Sequence, residues 1–248
     1  MSAVRRIMEA SQRGILALCT ALLVGSLQAE PPPSLAAPAK SAAPSGELVY
    51  IDNKVIRWSA DKKEVALFGA NYCLPSASDY RAAGYVHADR KKLVEKDLAH
   101  FVRMGWDAIR FSFWGDWENC DKEGNLLVND HLDVMDYAIA EATKRGIYIL
   151  LTPITTYSAW WPDKRESDPY PGFAAAYQRS ELGQSQKAIA AERNYLRQLL
   201  NHTNAYTGRP LKNEPAILFI EMINEPVHHS SNLGGILLEF LYDVRLTP

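Results

Sequence analysis

Four repeats of an apolar strand followed by an amphipathic helix predict an α/β fold for residues 47–248. The type is a (β/α)8 TIM-type barrel with about its first four βα units present, preceded by a small β-hairpin. Two observations sharpen this beyond the alternation. The strand segments are near-continuous apolar runs, the pattern of a parallel sheet covered on both faces. The turn after the first of them, "FGANYCLPS", lacks the G-x-G-x-x-G of a nucleotide-binding doubly wound sheet. What remains is a barrel, with its site at the C-terminal ends of the strands.

The elements follow in order. "LVYIDNKVIRW" has two short alternating runs around Asp52-Asn53-Lys54 and reads as the hairpin. "KEVALFGANY" gives the first barrel strand. In "DRKKLVEKDLAHFVRMG", Val94, Leu98, Phe101 and Val102 recur at helical spacing, and Gly105 suits the helix end. "WDAIRFSFW" is the second strand. "HLDVMDYAIAEATKRG" is the next helix, with Leu132, Met135 and Ile139 on one face, Lys144 and Arg145 in the last turn and Gly146 as its cap. "IYILLTPI" is the third strand. "SQKAIAAERNYLRQLL" is a helix with Ile189, Leu196, Leu199 and Leu200 inward, "PAILFIEMINEP" is the fourth strand, and "LGGILLEFLYDV" starts a fourth helix.

Ahead of the fold, Arg5, Arg6 and Arg13 precede the apolar run "GILALCTALLVGSL", with Ala29 shortly after. That is the layout of a secretory signal peptide over 1–29, and the run is short for a transmembrane helix. A retained anchor is the other reading. Residues 30–46, rich in Pro, Ala and Ser, read as a flexible linker. The expected location is therefore secreted or periplasmic, with no membrane contact beyond the signal segment. Cys73 and Cys120 follow neighbouring strands at the same end of the sheet, so a disulfide between them is one expectation for an exported protein. A net charge of −2 carries no footprint for nucleic acid. No Cys/His group has metal-ligand spacing, so neither a metal nor a cofactor is expected.

The tripeptide Asn-Glu-Pro occurs twice, at Asn213-Glu214-Pro215 and at Asn224-Glu225-Pro226. The first precedes the fourth strand and faces the wrong end of a barrel. The second closes the strand. Glu225 shares parity with Glu221 and Ile223, which directs all three to the barrel axis. Pro226 ends the sheet pairing. A partly desolvated carboxyl at that position has a raised pKa and suits proton donation. The alternative is a surface glutamate at a strand end.

"IEMINEP", with "FGANY" and "GWDAIRFSFW", resembles the strand signatures of glycoside hydrolase family 5, the retaining cellulases and mannanases built on (β/α)8 barrels. The resemblance implies roles. Glu225 is the general acid/base, Asn224 holds the sugar 2-hydroxyl, and Arg110 orients the nucleophile. The plainer role for Arg110, compatible with that one, is as partner to a buried acid such as Glu221. Asn71 and Tyr72 line the sugar cleft, or else serve as a turn asparagine and a core tyrosine. Trp114, Trp117, Trp160 and Trp161 are candidate stacking platforms for pyranose rings, whose C–H faces suit an indole. His228, with His229, lies just beyond the motif and is a candidate substrate contact. The chain departs from the family where a histidine often follows the third strand, since Thr152 and Pro153 stand there.

A retaining glycosidase needs a second carboxylate about 5–5.5 Å from the first. In the family it comes from strand seven, and the later acids here, Glu239 and Asp243, sit in a helical pattern. The expectation is a secreted glycosidase of β-glucan or β-mannan in its full-length form, with a C-terminally truncated barrel here that lacks the nucleophile. A fragment with open sheet edges is expected to be inactive and to self-associate. The competing readings are a carbohydrate-binding remnant without catalysis, and a barrel enzyme of other chemistry.

Overall fold

The computed structural model describes residues 48–73, 77–155, 172–182 and 184–224. All of them belong to the compact unit Ala37–Pro248. The predicted fourth helix and the signal segment lie outside the described residues.

The hairpin is present as β1 (Val49–Asp52) and β2 (Val55–Trp58), paired antiparallel. Its two-residue turn is made by Asn53 and Lys54, both at positive φ. That is the geometry whose twist matches a hairpin, and asparagine adopts it readily. Trp58 packs its ring 5.1 Å from that of Tyr148, which fixes the hairpin at the N-terminal end of the strands that follow.

Those strands are β3 (Gly69–Tyr72), β4 (Ala108–Ser112), β5 (Tyr148–Thr152) and β6 (Ile217–Ile220). They form one parallel sheet in chain order, as consecutive βα units of a barrel do. Six helices are described: α1 (Ala77–Tyr85), α2 (Arg90–Arg103), the single turn α3 (Gly115–Glu118), α4 (Asp130–Lys144), the single turn α5 (Phe173–Ala176) and α6 (Gln186–Asn201). A 3₁₀ turn at Leu211–Asn213 leads into β6.

Alternation along the strands sorts the side chains. Ile109, Phe111, Ile149 and Leu151 are buried against Val94, Leu98, Leu132, Met135, Ile139 and Leu196 of the helices. The opposite face carries Gly69, Ala108, Leu150, Leu218 and Phe219. It forms a groove of about 470 Å³, with Asn71 and Arg110 as its most C-terminal members on β3 and β4. The apolar runs were expected from a sheet covered on both faces, and among the described residues only one face is covered.

The helix ends follow their sequences closely. After α2, Gly105 at φ 76° lets its own N–H reach Val102 O and lets Trp106 N–H reach Phe101 O, and the Trp106 ring stacks on Phe101 at 4.9 Å. After α4, Gly146 at φ 68° and Ile147 repeat the pattern onto Thr143 O and Ala142 O. Both are Schellman caps, which satisfy the last carbonyls of the helix. The α1 helix was not foreseen. It is tied to the site loop by a buried ion pair, with Arg81 Nη2 2.7 Å from Glu118 Oε1. The structure also corrects the expected disulfide. Cys73 is exposed and Cys120 is buried, and the Cys120 Sγ is directed 3.2 Å onto Gly115 O rather than to Cys73.

Candidate active site at the carboxyl ends of the strands

Asn71 and Arg110 are register partners across β3 and β4, so their side chains lie on the same face of the sheet. Beyond β6 the chain stays paired with β5, because Glu221 N–H donates to Leu151 O at 2.8 Å and Asn224 N–H to Ile154 O at 2.9 Å. These two bonds bring Glu221 and Asn224 alongside the arginine. Arg110 Nε donates to Glu221 Oε2 at 2.8 Å, and Nη2 meets the same oxygen. Arg110 Nη2 also donates to Asn224 Oδ1 at 2.7 Å, and Nη1 to Asn71 Oδ1 at 3.3 Å. Thr152 Oγ1 donates to Glu221 Oε2 at 2.7 Å. One guanidinium thus anchors three strand ends. Its fork of donors suits this, since a lysine ammonium has no comparable fixed geometry.

Asn224 is 5% exposed, and its amide is oriented from both sides. The oxygen faces Arg110, and the nitrogen donates to Thr155 O at 3.4 Å. Behind it, Thr155 Oγ1 lies 3.1 Å and 3.4 Å from the two carboxylate oxygens of Asp116. The Asp116 loop turns through Trp114 at φ 58°, a left-handed conformation uncommon for a bulky side chain. Gly115 N–H then donates to Pro153 O at 3.0 Å, which ties the exits of β4 and β5 together. Deeper in this layer Glu192 of α6 is 3% exposed, and burial, with the charge of Asp116, raises its pKa to about 8.

Of the residues read from the sequence, Asn71, Arg110 and Asn224 are brought together. Tyr72 is not with them. It is 4% exposed on the helix side, stacked on Phe111 at 5.9 Å, with its hydroxyl 3.2 Å from Asp97 Oδ2. The reason is strand alternation: neighbours such as Asn71 and Tyr72 cannot both face the cleft. Trp114 and Trp117 are also corrected. They are 3% and 1% exposed and form a buried cluster with Ala174, so neither offers an open ring face. The loop after β4 is a tight helical turn, and the Gly172 segment bonds onto it at Trp117 O. Glu225, Trp160, Trp161 and His228 lie outside the described residues.

Three members of the site were missed. Thr152 shares parity with Leu150 on β5, so alternation alone could have found it. Asp116 and Thr155 lie in loops, where no periodicity marks them. The other Asn-Glu-Pro behaves as its position implied. Glu214 is buried at the N-terminal end of β6, takes a bond from Thr143 Oγ1 at 3.2 Å, and stands 3.9 Å from Arg209.

No family model matches the chain. Mannan endo-1,4-beta-mannosidase 3 of Arabidopsis thaliana is 25% identical over 113 residues, which is 45% of this chain and 27% of that protein. The endo-beta-1,4-mannanase of Thermotoga petrophila superposes with a TM-score of 0.52 at 19% identity, over 73% of this chain and 39% of its own. A mutant glycoside hydrolase family 5 mannosidase of Rhizomucor miehei, in complex with mannosyl-fructose, gives 0.55 at 19% identity, over 79% of this chain and 53% of its own. The chain spans from about a quarter to about half of the length of the proteins it matches. The fold is that of part of a (β/α)8 barrel like those of the matched mannanases, left open among the described residues.

Proposed function

We propose that this chain carries the acid/base half of a retaining glycosidase site for β-linked mannan or glucan, exported behind a cleaved signal peptide. The observation that carries the reading is the Arg110–Glu221–Asn224 network at the C-terminal strand ends. Glu225 is the next residue in the chain. In this reading Glu225 protonates the departing glycosidic oxygen and later activates water. Asn224 holds the 2-hydroxyl, and Arg110 fixes the ends of β3, β4 and β6 around the reacting sugar. The nucleophile is a second carboxylate from a later strand. The names of the matched proteins put β-mannan first among substrates. Sugar binding without turnover is the second reading. It is favoured by the one carboxylate described in the network, Glu221, which is held by Arg110 and Thr152 rather than placed to attack.

The test is reducing-sugar release from β-1,4-mannan and β-glucan by protein continued through all eight strands, with the product anomer followed by proton NMR. Release of the β-anomer first is expected from two successive displacements. Saturable binding with no release would replace the catalytic reading by the binding one. Residues 30–248 alone are expected to release nothing and to self-associate.

A further inference from the structure

We infer that Thr155 and Asp116 are positioning residues that lock the orientation of the Asn224 amide; the inference rests on the reading above, in which Asn224 holds a sugar hydroxyl. An asparagine amide is nearly symmetric in shape, and flipping it exchanges a donor for an acceptor. Here the flip is opposed at both ends. Arg110 demands an oxygen on one side, and the carbonyl of Thr155 demands a nitrogen on the other. A carbonyl can enforce this only if its peptide plane is held. Thr155 is fully buried, and its hydroxyl is bonded to the Asp116 carboxylate, which is also fully buried.

Asp116 is itself immobilised by close backbone approach. A Cβ on Gly115 would fall 1.6 Å from Tyr195 Oη, and one on Gly172 would fall 1.9 Å from Asp116 O. The Tyr195 hydroxyl in turn donates to Asn119 Oδ1 at 2.9 Å. Neither glycine has space for a side chain, so the Asp116 turn has no room to shift. The left-handed Trp114 just before it aims the chain into this packing. The result runs from the α3 turn through Asp116, Thr155 and Asn224 to Arg110. It fixes Asn224 to present a donor, which selects a sugar oxygen able to accept.

The test uses the full chain labelled with nitrogen-15. The Asn224 side-chain amide signals are assigned by their loss in Asn224→Asp, and their hydrogen exchange is measured. In Thr155→Val exchange of that pair is expected to speed up by about tenfold, the worth of one lost hydrogen bond. Thr155→Ser, which keeps the hydroxyl, restores slow exchange. Asp116→Asn, which weakens the acceptor, moves it in the same direction by less and serves if Thr155→Val does not fold. Thr143→Val is the control: it removes a comparably buried hydroxyl that bonds Ile139 O and Glu214, far from the site. It should lower thermal stability and leave the Asn224 pair unchanged. Unchanged exchange in Thr155→Val, or equal acceleration in Thr143→Val, would overturn the inference. Affinity for β-1,4-mannotetraose is measured in parallel and should fall by about tenfold in Thr155→Val. A wild-type chain that binds no oligosaccharide would count against the glycosidase reading, while the exchange result still decides the positioning role.

Discussion

Glu225→Gln, in protein carrying the complete barrel, is expected to lower turnover of natural oligosaccharides by roughly 10²–10⁴, the usual contribution of a general acid. The substitution keeps the shape of the side chain and removes its proton. The loss should depend on the leaving group. A sugar departs as an alkoxide unless it is protonated, so β-1,4-linked substrates should suffer most. Aryl glycosides with acidic phenols leave without help and should retain most of their first-step rate. Arg110 and Asn224 are untouched by this change, so KM should move little. Equal loss on both substrate types, or no loss on the natural one, would remove Glu225 from the acid/base role.

Glu192→Gln is expected to stabilise the protein, and to do so only above weakly acidic pH. Glu192 is 3% exposed, and its Oε1 has no hydrogen-bond partner among the described residues. Burial, then the charge of Asp116, raises its pKa from 4.5 to about 8. Below pH 4.5 both folded and unfolded chains hold the proton, and the group costs nothing. Between pH 4.5 and 8 the folded state keeps a proton that the unfolded state releases, so stability falls as pH rises through that window. Above pH 8 the cost is constant at several kcal/mol, each tenfold in proton affinity being about 1.4 kcal/mol. Glutamine mimics the protonated form at every pH. Melting temperatures of the two proteins should coincide near pH 4 and separate steadily toward pH 8. Parallel melting curves across that range would show that Glu192 does not titrate in this way.

Much of the fold was legible because it is written in local periodicity. The alternating runs around Asn53-Lys54 gave the hairpin, and Gly105 and Gly146 marked two helix ends that close as Schellman caps. The two copies of Asn-Glu-Pro were told apart by which end of β6 each occupies. The site was legible where strand parity applies and in the Asn-Glu-Pro motif, where parity failed: Ile223 packs against the core, and Asn224, of opposite parity to Glu221, joins it at Arg110. Asn71 and Arg110 share a face, and the same rule, applied strictly, would have excluded Tyr72 and admitted Thr152. The loops resisted for a physical reason. Trp114 and Trp117 read as exposed platforms, yet they are buried by a helical turn that depends on contacts with Tyr195 of α6 and with the Gly172 segment. Such contacts join residues far apart in sequence, so no short window carries them. Asp116 and Thr155 were hidden for the same reason.

The most direct measurement follows Arg110, Asn71 and Asn224 by NMR while the full chain is titrated with β-1,4-mannotetraose. The expected result is a saturable shift of the Arg110 Nε–H and of both asparagine side-chain amides, abolished in Arg110→Ala, with the Trp58 and Tyr148 end of the sheet unmoved. No shift at the three residues, or shifts confined to the Trp58 and Tyr148 end, would contradict a sugar site at the C-terminal ends of the strands.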